Sequence, residues 1–544
     1  MMNIYPLSKV LSSPFFWLFL YKLNNMNKYH KILWCVFLGV TLLLSCKEKT
    51  KPIASSAAQP ATFSEKFRPQ FHFSPAEKWM NDPNGLVFHQ GVYHLFYQYY
   101  PDDIVWGPMH WGHAVSTDLV HWEHKPISLY PDEHGYIFSG SAVVDTENTS
   151  GFGTEETPAL VAIFTYHNAE VKEAGRHDFQ TQGIAYSLDN GDTWVKYKGN
   201  PIIKNDGIKD FRDPKVFWNE IEENWTMLLV AGDHLQIWQS PDLKQWKEVS
   251  EFGKGQGAHG GVWECPDMFP LRVEGTDIEK WVLLISVGRG APNGGSGTQY
   301  FIGDFDGKVF SSEQLEPKWI DWGTDNYAGV TYNNLEDRIF IGWMSNWAYA
   351  QETPTKKWRS AMTLPRQLSL RQVNNSVELF AYPLESLDKI RVSGAQEDIS
   401  IAPKLDKRWT FDHFNTSEIT FRTNSRSFSV EFKNNLEENL LLTMDGAKQQ
   451  FVFNRSHSGE TTFDKDFADS LQTMPMANLP EGEYEVRILM DWSSIEIFIN
   501  EGQYVMTSQV FPNEHYKVLT ITNSSDMELE LNKFSISSLQ SIWK

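Results

Sequence analysis

Short apolar or alternating runs recur through residues 71–370, and each run is bounded by Gly, Pro, Asn or Asp. Long helical periodicity is nearly absent from this stretch, so the runs are predicted to be β-strands joined by turns. The clearest of them span residues 91–97, 159–165, 225–231, 281–287 and 338–343. The stretch is therefore predicted to be all-β.

A local pattern returns three times within this stretch, with a Ser-x-Asp turn a few residues before a Trp. Its copies are Ser116-Thr117-Asp118 with Trp122, Ser187-Leu188-Asp189 with Trp194, and Ser240-Pro241-Asp242 with Trp246. The Asp positions lie 71 and 53 residues apart, which fits four-stranded blades with loops of variable length. The pattern favours a β-propeller, with a string of hairpins in a β-sandwich as the alternative.

Strict period-two strands follow Leu384, for example at residues 418–421, 427–432 and 495–499. Each strand would have one apolar and one polar face, as in a β-sandwich with a single core. The predicted boundaries are a propeller over residues 67–370, a linker over 371–390 and a β-sandwich over 391–544.

The first 46 residues read as a secretion signal. An apolar stretch at residues 32–45 runs for 14 residues after two Lys, short of the roughly 20 that a membrane-spanning helix needs. It ends in Leu-Leu-Ser-Cys46, the pattern of a bacterial lipoprotein lipidated on that Cys, with an ordinary secretory signal as the alternative. An earlier apolar patch at residues 15–21 makes Met26 a candidate for the true start. Residues 47–66, rich in Lys, Ser, Ala and Pro, are predicted to be a flexible tether.

Composition narrows the classes of function. The formal net charge of −21 argues against a nucleic-acid partner, because phosphate binding needs a dense cationic surface. With 41% hydrophobic and 22% charged residues, the chain can bury a core. Its three Cys provide no disulfide framework. The 21 Trp, 20 Tyr and 35 Phe hint at carbohydrate, because Trp and Tyr stack on sugar faces, but core packing would absorb most of them.

Three acidic residues stand in unusually constrained local sequences: Asp82 in WMNDPNG, Asp213 in FRDPK and Glu264 in WECPD. Asp82 and Asp213 precede Pro, which pushes their backbone toward extended conformations and suits a rigidly aimed side chain. One such motif alone is more often a structural turn than a site. All three together fit a glycosidase, which needs a nucleophile or base, an acid for the leaving oxygen and contacts to ring hydroxyls.

These motifs resemble those of glycoside hydrolase family 32, the β-fructofuranosidases, from residue 71 to the C-terminus. Further strings that carry the resemblance are FYQ (96–98), WGPMHWGH (106–113), FSG (138–140), WRSAM (358–362) and LPR (364–366). The resemblance implies a five-bladed β-propeller followed by a C-terminal β-sandwich. It also implies a retaining double displacement at the anomeric carbon of fructose, with no metal and no cofactor.

Matched motif by motif, the resemblance implies Asp82 as nucleophile and Glu264 as acid and then base. It implies Asp213 as the residue that stabilises the transition state by holding fructose hydroxyls. Glu264 must begin protonated, and we expect the two neighbouring Asp charges and partial burial to keep it so. We expect Arg212 to keep Asp213 charged. Retention predicts carboxyls of Asp82 and Glu264 about 5–5.5 Å apart.

The same matching implies substrate contacts from amide, hydroxyl, guanidinium and aromatic side chains, namely Asn81, Asn84, Gln98, Trp106, Phe138, Ser139, Arg212, Tyr327 and Trp347. Core packing is the alternative for Trp347, and we expect three or four rings, led by Trp106, to line the pocket. His110, His113 and His121 are interpreted as hydrogen-bonded structural residues rather than metal ligands. The glycine-rich residues 293–297 lack the Lys of a phosphate cradle and are interpreted as a turn.

Residues 99–110 look closer to microbial levanases and exo-inulinases than to plain invertases. The hypothesis is an exo-acting β-fructosidase that releases terminal fructose from levan or inulin, cleaves sucrose, and is lipid-anchored at the bacterial cell envelope, periplasmic or surface-facing. The alternatives are an invertase restricted to sucrose and short oligosaccharides, an endo-levanase, or an inverting family 43 enzyme acting on arabinan or xylan. A non-catalytic surface glycan-binding lipoprotein is the alternative from another class.

Overall fold

The computed structural model describes residues 63–412, 414–468 and 471–543. The predicted signal, Cys46 and residues 47–62 of the predicted tether lie outside the described residues. Helix is sparse among these residues: α1 (Ala169–Glu173), α2 (Lys465–Ala468) and two 3-10 helices, Glu385–Ile390 and Phe414–Thr416. None of the described helices is long and apolar enough to cross a membrane.

Five antiparallel sheets of four main strands form a propeller in the described part of the chain. Blade one comprises β1 (Lys78–His89), β2 (Val92–Tyr100), β3 (His110–Ser116) and β4 (Glu123–Leu129). Blade two comprises β5 (Tyr136–Asp145), β6 (Ala159–His167), β7 (Gln180–Ser187) and β8 (Val195–Lys196). Blade three comprises β9 (Phe211–Asn219), β10 (Asn224–Ala231), β11 (Leu235–Ser240) and β12 (Lys247–Phe252).

Blades four and five add short accessory strands. Blade four comprises β13 (Trp263–Arg272), β14 (Glu279–Val287), β15 (Gly297–Phe305) and β16 (Phe310–Ser311), with β17 (Lys318–Trp319) paired to β15. Blade five comprises β18 (Tyr327–Thr331), β19 (Ile339–Met344), β22 (Arg366–Val373) and β23 (Ser376–Pro383), with β21 (Ala361–Met362) paired to β19. The remaining strand, β20 (Trp358–Arg359), pairs in parallel with β1, so the chain leaving β19 joins the last blade to the first.

The first strand of each blade is the innermost one. Strands β1, β5, β9, β13 and β18 pack side by side around the propeller axis, and apolar side chains fill the spaces between adjacent blades. The three predicted turns recur as one structure after the third strands of blades one to three. In each, the Ser hydroxyl donates to the Asp carboxylate, at 3.2, 2.8 and 3.2 Å in turn. The predicted propeller is confirmed.

Several innermost strands are interrupted by β-bulges. Register shifts occur between Leu228 and Val230 opposite β9, within residues 264–267 of β13 and within residues 327–330 of β18. Residues at these shifts have left-handed backbone: Asp213 (φ 62°), Cys265 (φ 46°) and Ala328 (φ 54°). The extended backbone predicted for Asp213 is therefore wrong, because the bulge requires positive φ there at a cost that local sequence does not reveal.

Two further sheets form the C-terminal β-sandwich. The first has the order β24 (Arg391–Val392), β36 (Leu529–Leu539), β27 (Ser417–Thr423), β32 (Tyr484–Asp491), β33 (Ser494–Ile499) and β34 (Tyr504–Gln509), with β25 (Glu397–Ile401) paired to β36. The second has the order β26 (Asp406–Thr410), β35 (Val518–Asn523), β28 (Ser427–Lys433), β29 (Asn439–Asp445), β30 (Gln450–His457) and β31 (Leu471–Pro475). One apolar core lies between them, as the period-two pattern predicted.

The predicted linker over residues 371–390 is wrong for most of its length. Residues 371–383 belong to the hairpin of β22 and β23, which completes blade five, and a 3-10 helix occupies most of the rest. The propeller therefore extends beyond residue 370 to Pro383. The end of the predicted tether is also part of the fold, since Phe63 stacks on Trp543 at 4.0 Å and Lys66 pairs with Glu460 at 2.7 Å.

Candidate active site

A cavity of about 550 Å³ opens at the innermost strands of the propeller. Asp82 reaches it from β1, Asp213 from β9 and Glu264 from β13, although these residues are far apart in the chain. The other predicted residues that line it are Asn81, Gln98, Trp106, Phe138, Ser139, Arg212 and Trp347. A larger cleft of about 920 Å³ beside blade five and the sandwich contains none of the three acids.

Asp82 is a buried carboxylate surrounded by donors. Asn81 Nδ2 donates to its Oδ1 at 2.9 Å, and Ser139 Oγ donates to its Oδ2 at 2.6 Å. The Trp79 indole donates to Asn81 Oδ1 at 2.7 Å, which fixes the orientation of the Asn81 amide. Cys265 Sγ lies 3.4 Å from Asp82 Oδ2. This environment suits an ionised side chain held in one direction, as a nucleophile requires.

Asp213 is buried beside the other two acids. The backbone N–H of Cys265 donates to Asp213 Oδ2 at 3.0 Å, and its own N–H donates to Thr165 Oγ1 at 2.9 Å. Burial raises the pKa of Asp213, and the nearby carboxyls of Glu264 and Asp82 raise it further against the opposing charge of Arg212. The Asp213 carboxyl therefore retains a proton more readily than an isolated aspartic acid would.

Arg212 contacts Glu264 rather than Asp213. Its Nη1 donates to Glu264 Oε1 at 2.9 Å, and its Nη2 pairs with Asp210. The Tyr327 hydroxyl donates to the other oxygen of Glu264. Burial raises the pKa of Glu264, as do the charges of Asp82 and Asp210, and together these effects exceed the opposing effects of Arg212 and Tyr327. Arg212 lowers the pKa of Asp213, but burial and the neighbouring carboxyls exceed this effect, so the expectation that Arg212 keeps Asp213 charged is wrong. The raised pKa of Glu264 is as expected of an acid.

Two predicted substrate contacts lie behind the cavity wall. Asn84 is 1% exposed, and its Oδ1 accepts from Gln98 Nε2 at 2.7 Å, so it orients Gln98. Tyr327 is also 1% exposed and contacts Glu264 instead of lining the cavity. Neither side chain lines the cavity, contrary to the two predictions of direct contact.

Three aromatic rings line the cavity, as expected: Trp106, Phe138 and Trp347. Trp106 meets Phe138 edge-on at 6.1 Å, and Phe138 stacks on His167 at 4.2 Å. Trp347 also contacts the buried Trp79 and Trp343 rings, so it serves both core packing and the wall. Such rings provide apolar surface for the faces of a sugar.

Sequence reasoning missed several lining residues: His167, Lys172, Gly260, Gly261, Val262, Gly288, Arg289 and Gln351. They lie at a strand end, on α1 and in loops, all outside the quoted motifs, and glycines carry no chemical signature. Burial, Lys172 and Arg212 lower the pKa of His167 to about 3, so its ring is neutral at the cavity wall. Lys172 on α1 and Arg289 after β14 add positive charge.

The three histidines interpreted as structural have local partners. The His110 ring bonds Pro108 O at 2.9 Å, His113 bonds the His94 ring at 3.1 Å, and His121 bonds Asp118 at 3.0 Å. Within the described residues, no group of three or more His, Cys, Asp or Glu side chains is arranged to hold a metal ion.

Comparison with known proteins identifies both domains. Residues 72–383 match the glycosyl hydrolases family 32 N-terminal domain, and residues 386–539 match the family 32 C-terminal domain. A levanase from Bacillus subtilis (strain 168) is 44% identical over 521 residues, covering 93% of this chain and 75% of that protein. An extracellular exo-inulinase from Aspergillus ficuum is 40% identical over 503 residues, covering 84% of this chain and 91% of that protein. The crystal structure of exo-inulinase from Aspergillus awamori superposes with a TM-score of 0.81 at 36% identity, covering 88% of this chain and all of that one.

Proposed function

The chain belongs to glycoside hydrolase family 32, and from this premise we propose that it is a retaining, exo-acting β-fructosidase that hydrolyses terminal fructose from levan and inulin, and also sucrose. The observation that carries the proposal is the convergence of Asp82, Asp213 and Glu264 on one cavity. The environments of Asp82 and Glu264 differ as the reaction requires, since one must begin ionised and the other protonated. Asp82 is surrounded by donors, whereas burial raises the pKa of Glu264.

The reaction proceeds in two displacements. In the first, an oxygen of Asp82 attacks the anomeric carbon of the terminal fructose while Glu264 gives its proton to the departing oxygen. In the second, Glu264 takes a proton from water, whose oxygen attacks the same carbon and releases Asp82. Each displacement inverts the carbon, so fructose leaves with its original configuration. Asp213 binds ring hydroxyls between the other two acids.

The exo mode is supported by the cavity and by the relatives. Trp106, Phe138 and Trp347 wall a cavity of about 550 Å³ that the three acids also line. A cavity of this size accepts the end of a chain more readily than its middle. Two of the compared relatives are named exo-inulinases, and another is named a levanase.

Product analysis on levan, inulin and sucrose tests this function. Free fructose is expected as the main early product from both polymers, with glucose and fructose from sucrose. Oligosaccharides released first from levan would identify an endo-levanase, and activity confined to sucrose and short oligosaccharides would identify an invertase.

Asp82→Asn is the control, because the amide cannot form the ester intermediate. Full activity in that variant would refute the nucleophile assignment, and an inactive wild-type chain that binds levan would identify a glycan-binding protein.

We propose further that the chain is secreted and anchored through a lipid on Cys46 to the bacterial cell envelope. The proposal is supported by the Leu-Leu-Ser-Cys46 string after a 14-residue apolar stretch and by the polar residues 47–62 before the described fold. An anchored enzyme would release fructose next to the cell from polymers too large to import. Labelled palmitate is expected in the wild-type chain and absent from Cys46→Ser, which should leave the membrane fraction. Equal labelling of both proteins would overturn the anchor.

A further inference from the structure

Lys215 and Asp267, the last residues of two catalytic motifs, do not line the cavity. Both are buried between the innermost strands, and Lys215 Nζ lies 3.2 Å from Asp267 Oδ2. Lys215 Nζ also donates to the backbone oxygen of Thr331 at 2.7 Å. The backbone N and Oγ1 of Thr331 donate to Asp267 Oδ2 at 2.6 and 2.8 Å. These three residues, which we call the axial clamp, connect β9, β13 and β18.

Each clamp residue follows an active-site residue across a bulge. Lys215 lies two residues after Asp213, which itself has left-handed φ. Asp267 follows Glu264 across the left-handed Cys265, and the register of β13 shifts between them. Thr331 follows Tyr327 across the left-handed Ala328, with another register shift. The same arrangement therefore occurs on three adjacent blades.

A bulge needs external support if it is to aim a side chain accurately. It leaves a residue unpaired and lets the strand bend, so the hydrogen bonds of the blade do not fix its direction alone. A buried ion pair is costly to desolvate and is weak evidence for stability as such. This ion pair instead follows the bulges along the strands, so it can fix the directions of the strands there. Glu264 also links the three strands, through Arg212 and Tyr327, but it does so in the cavity itself, whereas the clamp does so behind the cavity.

We propose that the axial clamp of Lys215, Asp267 and Thr331 sets the relative positions of Asp213, Glu264 and Tyr327. The inference rests on the proposed function. The clamp residues are positioning residues, because they lie behind the cavity and act through the strands that carry the acids. Loss of the clamp should displace Glu264 from the leaving oxygen, and a displacement of about 1 Å can lower the rate roughly 100-fold.

The test compares two fructosides in Lys215→Met. Sucrose needs protonation of its leaving oxygen by Glu264, whereas fluoride departs from fructosyl fluoride without a proton. We expect kcat/KM on sucrose, which reports the first displacement, to fall about tenfold or more, and kcat/KM on fructosyl fluoride to fall much less. The ratio of kcat/KM on sucrose to kcat/KM on fructosyl fluoride does not depend on the fraction of folded enzyme. A folded Lys215→Met with an unchanged ratio would overturn the clamp.

Arg487→Met is the matched control. Arg487 forms a comparable buried pair with Glu418 at 2.6 Å, and both residues lie on sandwich strands, β32 and β27, away from the bulged strands. This control variant should be less stable than wild type and have an unchanged ratio. If its ratio changed as in Lys215→Met, the clamp would be refuted.

If Lys215→Met does not fold, Thr331→Val replaces it in the test, because this substitution removes only the Oγ1 bond to Asp267. A lower ratio is expected in Thr331→Val, and an unchanged one would overturn the proposal. A wild-type chain inactive on both fructosides would refute the proposed function instead.

Discussion

The Glu264 carboxyl accepts hydrogen bonds from Arg212 and Tyr327, and both bonds favour its charged form. An acid that must begin protonated would not be expected beside two such donors. Burial and the charges of Asp82 and Asp210 raise the pKa of Glu264, and together they exceed the effect of the two donors. The two donors therefore limit how far the pKa rises, which keeps Glu264 able to release its proton in the first step and take one in the second.

We predict that Tyr327→Phe moves the basic limb of the pH profile of kcat/KM on sucrose to higher pH. The hydroxyl bond lowers the pKa of Glu264, so its removal lets the acid remain protonated to higher pH. Tyr332→Phe is the control, since the buried Tyr332 hydroxyl has no hydrogen-bond partner among the described residues. A profile for Tyr327→Phe that coincides with wild type, or moves to lower pH, would contradict this role.

The sequence predicted which three acids lie together, but not which side chains form hydrogen bonds with them. WMNDPNG, FRDPK and WECPD identified Asp82, Asp213 and Glu264 because their residue types carry the chemistry. The partner of Arg212 was misassigned because sequence adjacency suggested Asp213, whereas the fold places Glu264 within reach from the next blade. Cross-blade contacts of this kind depend on how adjacent first strands are staggered, which no local motif encodes.

At the scale of strands, the bulges were the least predictable feature. Alternation predicted the strands correctly, but the left-handed residues Asp213, Cys265 and Ala328 are not glycines, so nothing local marked them. The boundary at residue 370 was wrong for another reason. Apolar and polar residues alternate in β22 and β23 as they do in the sandwich strands. The two-residue turn at Asn374 and Asn375 indicates that these two strands form one hairpin.

Gly140 on β5 shows how close packing of strands supports the nucleophile. A Cβ at Gly140 would lie 2.0 Å from Ile163 O and 2.7 Å from Phe164 Cα on β6. We predict that Gly140→Ala separates these strands, lowers the free energy of unfolding by about 1–3 kcal/mol, and lowers kcat on sucrose about tenfold or more by moving Ser139 away from Asp82. Steady-state kinetics and thermal unfolding measure both effects.

Gly482→Ala serves as the control for this prediction, because a Cβ there would meet nothing within 4 Å. It should leave kcat unchanged. If Gly140→Ala kept wild-type kcat, the spacing of β5 and β6 would not govern the position of Ser139.

For the whole molecule, the propeller and sandwich are joined by an apolar interface that also contains buried charges. His72 lies between Asp491 at 2.8 Å and Glu496 at 3.2 Å, and Arg366 bonds Glu496 at 3.0 Å and Asp321 at 2.9 Å. Burial lowers the pKa of His72, but its bonds to Asp491 and Glu496 exceed that effect and raise the pKa to about 9. The imidazolium thus binds sandwich carboxylates from the propeller side.

This interface predicts a pH-dependent stability. His72 is held charged above its unfolded pKa of about 6.5, so its contribution is complete below that pH and disappears as pH rises through about 9. We predict that His72→Leu lowers the free energy of unfolding by about 3–5 kcal/mol in mildly acidic solution, with a smaller loss in alkaline solution. Denaturant unfolding at the two pH values measures it.

His121→Leu is the control, because His121 is 44% exposed and its pair with Asp118 is a surface contact worth at most about 1 kcal/mol. An equal loss for His72→Leu at both pH values would show that the imidazolium does not stabilise the interface. The −21 net charge gave no indication of this pair, because counting charges does not show where a few of them are buried.

Identification of the covalent intermediate tests the central claim most directly. Glu264→Ala incubated with fructosyl fluoride should accumulate the fructosyl-enzyme, because fluoride departs without an acid while the base that activates water is missing. After acid quench and proteolysis, mass spectrometry of the peptides should find one added fructosyl unit on Asp82. A fructosyl unit on Asp213, or none on any peptide while fructose is still released, would contradict the account.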